Sequence, residues 1–179
     1  MIVSLETFEA YTQNYENSEE ELNLKKLYLN TAETIVKDYL GYNPECRQYD
    51  EYLSGIGDYK LYVHAFPVTS VGEITVDGNE VDISDIFCKG NYVYAYDRTK
   101  VFSAGVDNVH IIYTAGFNQI PEAISMAILR IAALLLQEEG GNIGITSKSF
   151  TENSRTFINY TNFKKYLQPL DVYRIVRFE

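Results

Sequence analysis

The stretch from Val109 to Leu136 leaves this chain few options. Val109-His-Ile-Ile-Tyr113 alternates apolar and mixed positions in the period-two manner of a strand with one buried face. Ala115-Gly116 then makes a tight exit, and Pro121 suits the first turn of a helix, where its missing N–H costs nothing. From Ala123 to Leu136 the residues are apolar all round the helix except Ser125 and Arg130, and Gly140-Gly141 stops it. A helix of this kind must be covered on most sides, by its own domain or by neighbouring copies. The 14-residue run Ala123–Leu136 is shorter than the roughly 20 residues a membrane-spanning helix requires.

Upstream, Ser18 and Glu21 have the spacing of a capping box. Tyr28, Ala32, Ile35 and Tyr39, joined by Leu29, Val36 and Leu40, form the apolar stripe of a helix that ends at Gly41, with Pro44 beyond. A shorter helix near Ser4–Tyr15 places Leu5, Phe8 and Tyr11 on one face. Residues 47–116 change character and are rich in Tyr, Val, Ile and Gly. Strands are expected over Tyr59–Phe66, Gly72–Val76, Tyr92–Tyr96 and Val109–Tyr113, with a turn at Asp77-Gly78-Asn79. Pro67 should end the first strand or put it at an edge. After the apolar helix, residues 142–156 read as a Ser/Thr/Asn/Gly-rich loop, Thr156–Leu167 as a last helix, and Asp171–Glu179 as an extended basic tail.

This order predicts an α+β fold, a helical bundle with an inserted small antiparallel β-sheet domain and an extended C-terminal arm. The expected divisions are N-terminal helices over 1–44, a β-rich insertion over 45–116, helices and loop completing the bundle over 117–168, and an arm over 169–179.

Charge and composition narrow the function. Of 179 residues, 16 are Tyr and none is Trp, which favours surfaces that are covered only when a partner arrives. The net charge is −10, and it is uneven: residues 1–147 carry 9 Lys/Arg against 22 Asp/Glu, whereas residues 148–179 carry 6 against 3. An acidic body argues against tight wrapping of nucleic acid, which needs clustered cations. The basic tail keeps docking on an acidic partner open. Met1–Leu5 is too short for the apolar part of a secretion signal, and Cys46 and Cys88 have no motif spacing, so a reducing cytoplasm is the expected setting for folding.

No chemistry emerges. His64, His110, Cys46 and Cys88 are isolated from one another, unlike the close pairs of structural zinc sites. Asp77, Asn79, Asp82 and Asp85 lack the glycine and the closing glutamate of a calcium loop. Gly140-Gly141-Asn142-Ile143-Gly144 follows a helix, whereas phosphate cradles follow a strand. Glu138 and Glu139 are adjacent on a helix and point apart. The reading is of a protein that is not an enzyme and has no catalytic residues, cofactor or metal.

The segment from Asn108 to Ile124, with Tyr113-Thr114-Ala115-Gly116 and Ile120-Pro121 at its centre, resembles the signature of the phage head–tail connector (adaptor) family. Pro67–Val71 leading to Ile74–Gly78 matches that family's opening strand and hairpin, and the resemblance covers most of residues 18–140. It implies a structural virion protein without enzymatic activity, located in the phage neck and assembled in the host cytoplasm. About twelve copies would form a ring under the portal, a dodecamer that extends the DNA channel towards the tail. The implied partners are further copies of the chain, the portal protein, and the next tail or stopper protein; genomic DNA would pass through without sequence-specific binding. The C-terminal arm of such proteins grips the portal, which here points to Tyr173, Arg174, Arg177 and Phe178. A stopper-like head or tail completion protein, a Tyr-rich ligand-binding module and a small hydrolase with a carboxylate pair are the competing readings. They predict, respectively, the same assembly at another level, a monomer with an aromatic groove, and a pocket with two convergent acids.

Overall fold

The computed structural model describes residues 1–15, 18–98, 102–138, 147–150, 153–156 and 161–175. The chain divides into two compact units, one helical (1–41 with 120–179) and one β-rich (42–119).

In the helical unit, α1 spans Leu5–Thr12 and α2 spans Glu19–Leu40. Both capping groups expected at Ser18 and Glu21 form: the serine hydroxyl accepts from the Glu21 amide at 3.3 Å, and the Glu21 carboxylate accepts from the Ser18 amide at 3.1 Å. Gly41 closes the other end in a left-handed conformation, its amide donating to the Lys37 carbonyl. The buried stripe of α2 is Leu29, Ala32, Val36 and Leu40, together with Lys25 and Glu33. Tyr28, Ile35 and Tyr39 sit at its margin and are only half-buried, so the stripe is turned slightly from the expected one. Two charges on an inward face need partners. The Lys25 ammonium donates to Glu9 and to the Asn14 carbonyl, each at 3.0 Å, which ties α2 to the end of α1.

Glu33 is 7% exposed and accepts from the Ile2 amide at 2.9 Å and the Lys37 ammonium at 2.7 Å. Burial pushes its carboxyl up, but the Lys37 and Ile2 bonds and the nearby positive charges outweigh that and hold it below its ordinary value. A lowered folded-state value adds stability that is present above the unfolded-state value and lost as pH falls through the folded one. Urea denaturation of wild type and Glu33→Gln should therefore differ most near neutral pH and converge as the pH drops below about 4. A gap that is independent of pH would show that the charge is not what Glu33 contributes.

The apolar helix α3 spans Glu122–Glu138, one residue later than the sequence suggests, with the Pro121 carbonyl accepting from Ile124 and Ser125. Ile124, Ala127, Ile128, Leu129, Ile131 and Ala132 are buried, and α3 packs on α2. Two stretches of the expected loop are strands instead: β8 (Ser147–Phe150) and β9 (Asn153–Thr156) pair antiparallel. The last helix, α4, is shorter than expected, Thr161–Leu167.

The segment expected as an extended tail starts instead as a 3-10 helix over Gln168–Tyr173, with Pro169 in its first turn. Leu170 is fully buried, Ile175 is buried, and the Ile175 amide donates to the Leu40 carbonyl at 3.0 Å. The physical reason is the apolar spacing Leu167, Leu170, Ile175, which lets the chain seal the end of the helical unit.

In the β unit, β1 (Arg47–Leu53), β7 (Val109–Ala115), β3 (Val68–Val76) and β4 (Asn79–Glu80) form one antiparallel sheet in that order. A second antiparallel sheet has the order β2 (Lys60–Tyr62), β6 (Tyr92–Ala95), β5 (Ile86–Lys89). Both contribute to one core, where Leu53, Leu61, Ile74, Val93, Phe102 and Ile111 meet. The central strand β7 alternates strictly, with Val109, Ile111, Tyr113 and Ala115 inward. Pro67 follows a cis peptide bond, and its neighbour Val68 opens β3. β3 carries register shifts between Val68 and Ser70 and between Val71 and Glu73. Each adds a residue, so Val68, Val71 and Ile74 all reach the core although they are three apart.

Candidate functional site

The signature residues of the sequence turn out to be construction rather than contact surface. Tyr113 is 1% exposed, stacks on Tyr49 with ring centroids 5.3 Å apart, and donates its hydroxyl to Glu51 at 3.0 Å. Burial, and then the Glu51 charge and hydrogen bond, push the phenol far above its ordinary value, so it stays a neutral donor. Thr114 accepts at its carbonyl from the Thr69 hydroxyl at 3.0 Å, and Ala115 is buried. Gly116 (φ +109°) lets the strand leave against residues 44–46. Its amide donates to the Pro67 carbonyl, and the Phe117 amide donates to that of Pro44. Ile120 and Pro121 open the run into α3.

The proposed portal-binding residues divide. Arg177 and Phe178 lie outside the described residues. Tyr173 and Arg174 belong to the sealed segment, with the Arg174 guanidinium 5.0 Å from the centroid of the Tyr39 ring. Asp171 accepts from the hydroxyl of the same tyrosine. That hydrogen bond first, then burial and the Asp171 charge, raise the Tyr39 phenol above its ordinary value. Arg174 and Asp171 therefore grip α2 of their own chain, from opposite parts of one tyrosine.

Each histidine faces a carboxylate. His64 lies 3.3 Å from Glu51, and His110 lies 2.8 Å from Asp50 and stacks on Tyr52. Both carboxylates come from β1, whose adjacent residues point to opposite faces of the sheet. Burial pushes the half-buried Cys88 thiol up, which leaves it a poor nucleophile. Among the described residues there is no group of three or more His, Cys, Asp or Glu side chains placed to hold a metal ion. No described helix is long and apolar enough to cross a membrane.

A feature that sequence reasoning missed is an aromatic face on the second sheet. Leu61, Val93 and Ala95 turn inward, so Tyr62, Tyr92 and Tyr94 fall on the opposite side, with Phe87 and Tyr96. Phe87 stacks on Tyr94 and lies against Tyr96, each at 4.9 Å, and Tyr94 lies 5.9 Å from Tyr92. Phe87 is 36% exposed and Tyr96 65%. Rings in mutual contact hold each other's rotamers, which lowers the entropy lost when such a face meets a partner. The signal was present in Tyr92-Val-Tyr-Ala-Tyr96, whose alternation assigns all three tyrosines to one side.

The sequence matches a known family along nearly its whole length. The match runs over residues 1–176 and is to head completion proteins. The chain belongs to the head completion protein family. Membership makes it a structural protein of virion head completion, in agreement with the connector resemblance of residues 108–124. No curated relative matches the sequence. Solved structures share the fold. A chain from the neck of an empty gene transfer agent particle, computed with C6 symmetry, aligns with a TM-score of 0.61 at 13% identity, covering 99% of this chain and 92% of that one. One from the neck of the native particle, computed with C12 symmetry, gives 0.58 at 14% identity over 96% and 90%. One from the virion of the native gene transfer agent particle gives 0.63 at 14% identity over 99% and 92%. These likenesses extend the α+β architecture across head completion proteins and neck chains of low identity.

Proposed function

We propose that this head completion protein works as a ring-forming connector of the virion neck. In this role it joins the portal protein to the next tail or stopper component and continues the DNA channel. The observation that carries the reading is the family match over residues 1–176, together with a fold shared with neck chains over as much as 99% of its length. Symmetric necks, such as those computed with C6 and C12 symmetry, are built from repeated copies, and a ring demands that one copy offer two different surfaces to its neighbours. The aromatic face centred on Tyr94 supplies one surface of the required kind. Twelve copies at −10 give a ring of on the order of −120, and acidic walls repel phosphates, so that DNA slides without sequence-specific binding.

Portal docking is assigned to the arm, with Tyr173 and Arg174 as its anchored base and Arg177 and Phe178 as its reach. The ring reading is tested by negative-stain imaging of the protein with and without portal. Rings that appear on mixing are the expected result. A protein that remains monomeric and ignores the portal would overturn it, and mainly Lys/Arg residues facing the lumen of the ring would overturn the sliding idea.

A further inference from the structure

The helical unit carries a groove of about 460 Å³ that the ring reading does not use. Its floor is one stripe of α3: Arg130, Ala133, Leu134 and Gln137 recur at i, i+3, i+4 and i+7 and therefore share a face. The end of α1 and the residues after it, Tyr11 to Asn14, make one wall, and Tyr166 of α4 makes the other. Leu134 is only half-buried on that floor, and Tyr11 is 43% exposed at the rim.

Two cations converge on the Tyr166 ring, the Arg130 guanidinium at 5.6 Å and the Lys165 ammonium at 4.8 Å from its centroid. Among the described residues no carboxylate pairs with either of them. Arg47 and Arg98 also lie over single tyrosine rings, but Tyr166 has two cations within 6 Å of its centroid and lines a groove. Arg130 is also the sole charge interrupting the apolar run of α3. An aromatic ring met by two cations that have no carboxylate partner among the described residues, beside an apolar floor, has the chemistry of an acidic-peptide groove: carboxylates meet the cations while an apolar side chain fills the floor. Nucleic acid fits less well, because phosphates have no use for Ala133 and Leu134 and the chain as a whole is strongly acidic.

We propose that this groove docks an acidic peptide segment of another neck protein, with its carboxylates on Arg130 and Lys165 and an apolar anchor over Leu134. The inference rests on the neck reading for the source of the segment and on the groove alone for its chemistry. A random peptide library displayed against the full-length protein, with counter-selection on an Arg130→Glu/Lys165→Glu double variant, tests it. The expected outcome is enrichment of sequences with Asp or Glu flanking Leu, Phe or Tyr. The best of them, made synthetically, should bind wild type roughly tenfold tighter than the double variant, and lose that binding in high salt. An Arg130→Gln/Lys165→Gln variant with an unchanged thermal midpoint serves where the charge reversal disturbs folding.

No enrichment, equal binding to both proteins, or selection of basic sequences overturns the proposal. So does a labelled single-stranded oligonucleotide that binds wild type and is lost in the variant, since the cations then serve phosphates. Self-association of wild type that the double variant lacks would make the occupant a second copy and overturn it likewise. Ring formation with portal is measured separately on the same variants, so a protein that fails to form rings but still selects acidic peptides refutes the connector reading alone.

Discussion

Replacing Gly116 with valine is expected to bring the β unit close to unfolding. The backbone there has φ +109°, a conformation that β-branched residues essentially do not adopt. A side chain has no room in any case: a Cβ would lie 2.4 Å from the Glu45 carbonyl oxygen, 2.6 Å from its carbon and 2.7 Å from the Cys46 nitrogen. All three are backbone atoms, which cannot swing aside as the end of a flexible side chain would. Relieving the contact means parting residues 44–46 from residues 116–117, and with them the Phe117–Pro44 hydrogen bond at 2.8 Å. The conformational cost is about 1–3 kcal/mol and the overpacking cost about the same again, a large share of the roughly 5–15 kcal/mol that holds a domain together. Gly78→Ala is the control. It also has positive φ, +78°, but nothing lies within 4 Å of its Cβ position, so only the conformational part, about 1–2 kcal/mol, is lost. Equal urea midpoints for the two variants would refute the close approach as the reason for glycine at 116.

This glycine also shows why some of the molecule was legible in the sequence. Tyr-Thr-Ala-Gly at 113–116 encodes an alternating strand and an exit that only glycine permits, and both are local properties. The capping box and the period of α2 are likewise local, and their ends fell where expected. What escaped was set by contacts distant in sequence. β1 reads as polar, Arg-Gln-Tyr-Asp-Glu-Tyr-Leu, yet its inward glutamate, Glu51, is satisfied by Tyr113, 62 residues away. The period alone marked β3 only over Gly72–Val76, with Pro67–Val71 supplied by the family resemblance, because its two bulges space the core residues Val68, Val71 and Ile74 three apart and break the period of two. The groove on α3 was visible merely as Arg130 interrupting an apolar run. That the arginine shares Tyr166 with Lys165 depends on how α3 and α4 pack.

The C-terminal segment separates two roles that the sequence had merged, and truncation tells them apart. Removing residues 170–179 takes away Leu170, fully buried, the Ile175–Leu40 backbone bond, and the grip of Asp171 and Arg174 on Tyr39. Truncating a buried leucine to alanine alone costs about 2–5 kcal/mol, and each kcal/mol lowers the melting temperature of a chain this size by roughly 2–4 °C. Leu170→Ala should therefore melt well below wild type, and the full truncation should lose the cooperative melting of the helical unit. A loss of portal docking in that truncation would then report unfolding instead of a missing contact. Removing only residues 176–179 leaves every one of these interactions in place, so this variant should melt far closer to wild type than the longer truncation does. Because Arg177 and Phe178 are the arm's proposed reach, the short truncation should still abolish docking on the portal. Normal melting with intact docking would move the portal contact elsewhere on the chain. A stable protein after removal of residues 170–179 would mean that Leu170 and Ile175 pack on the helical unit without holding it together.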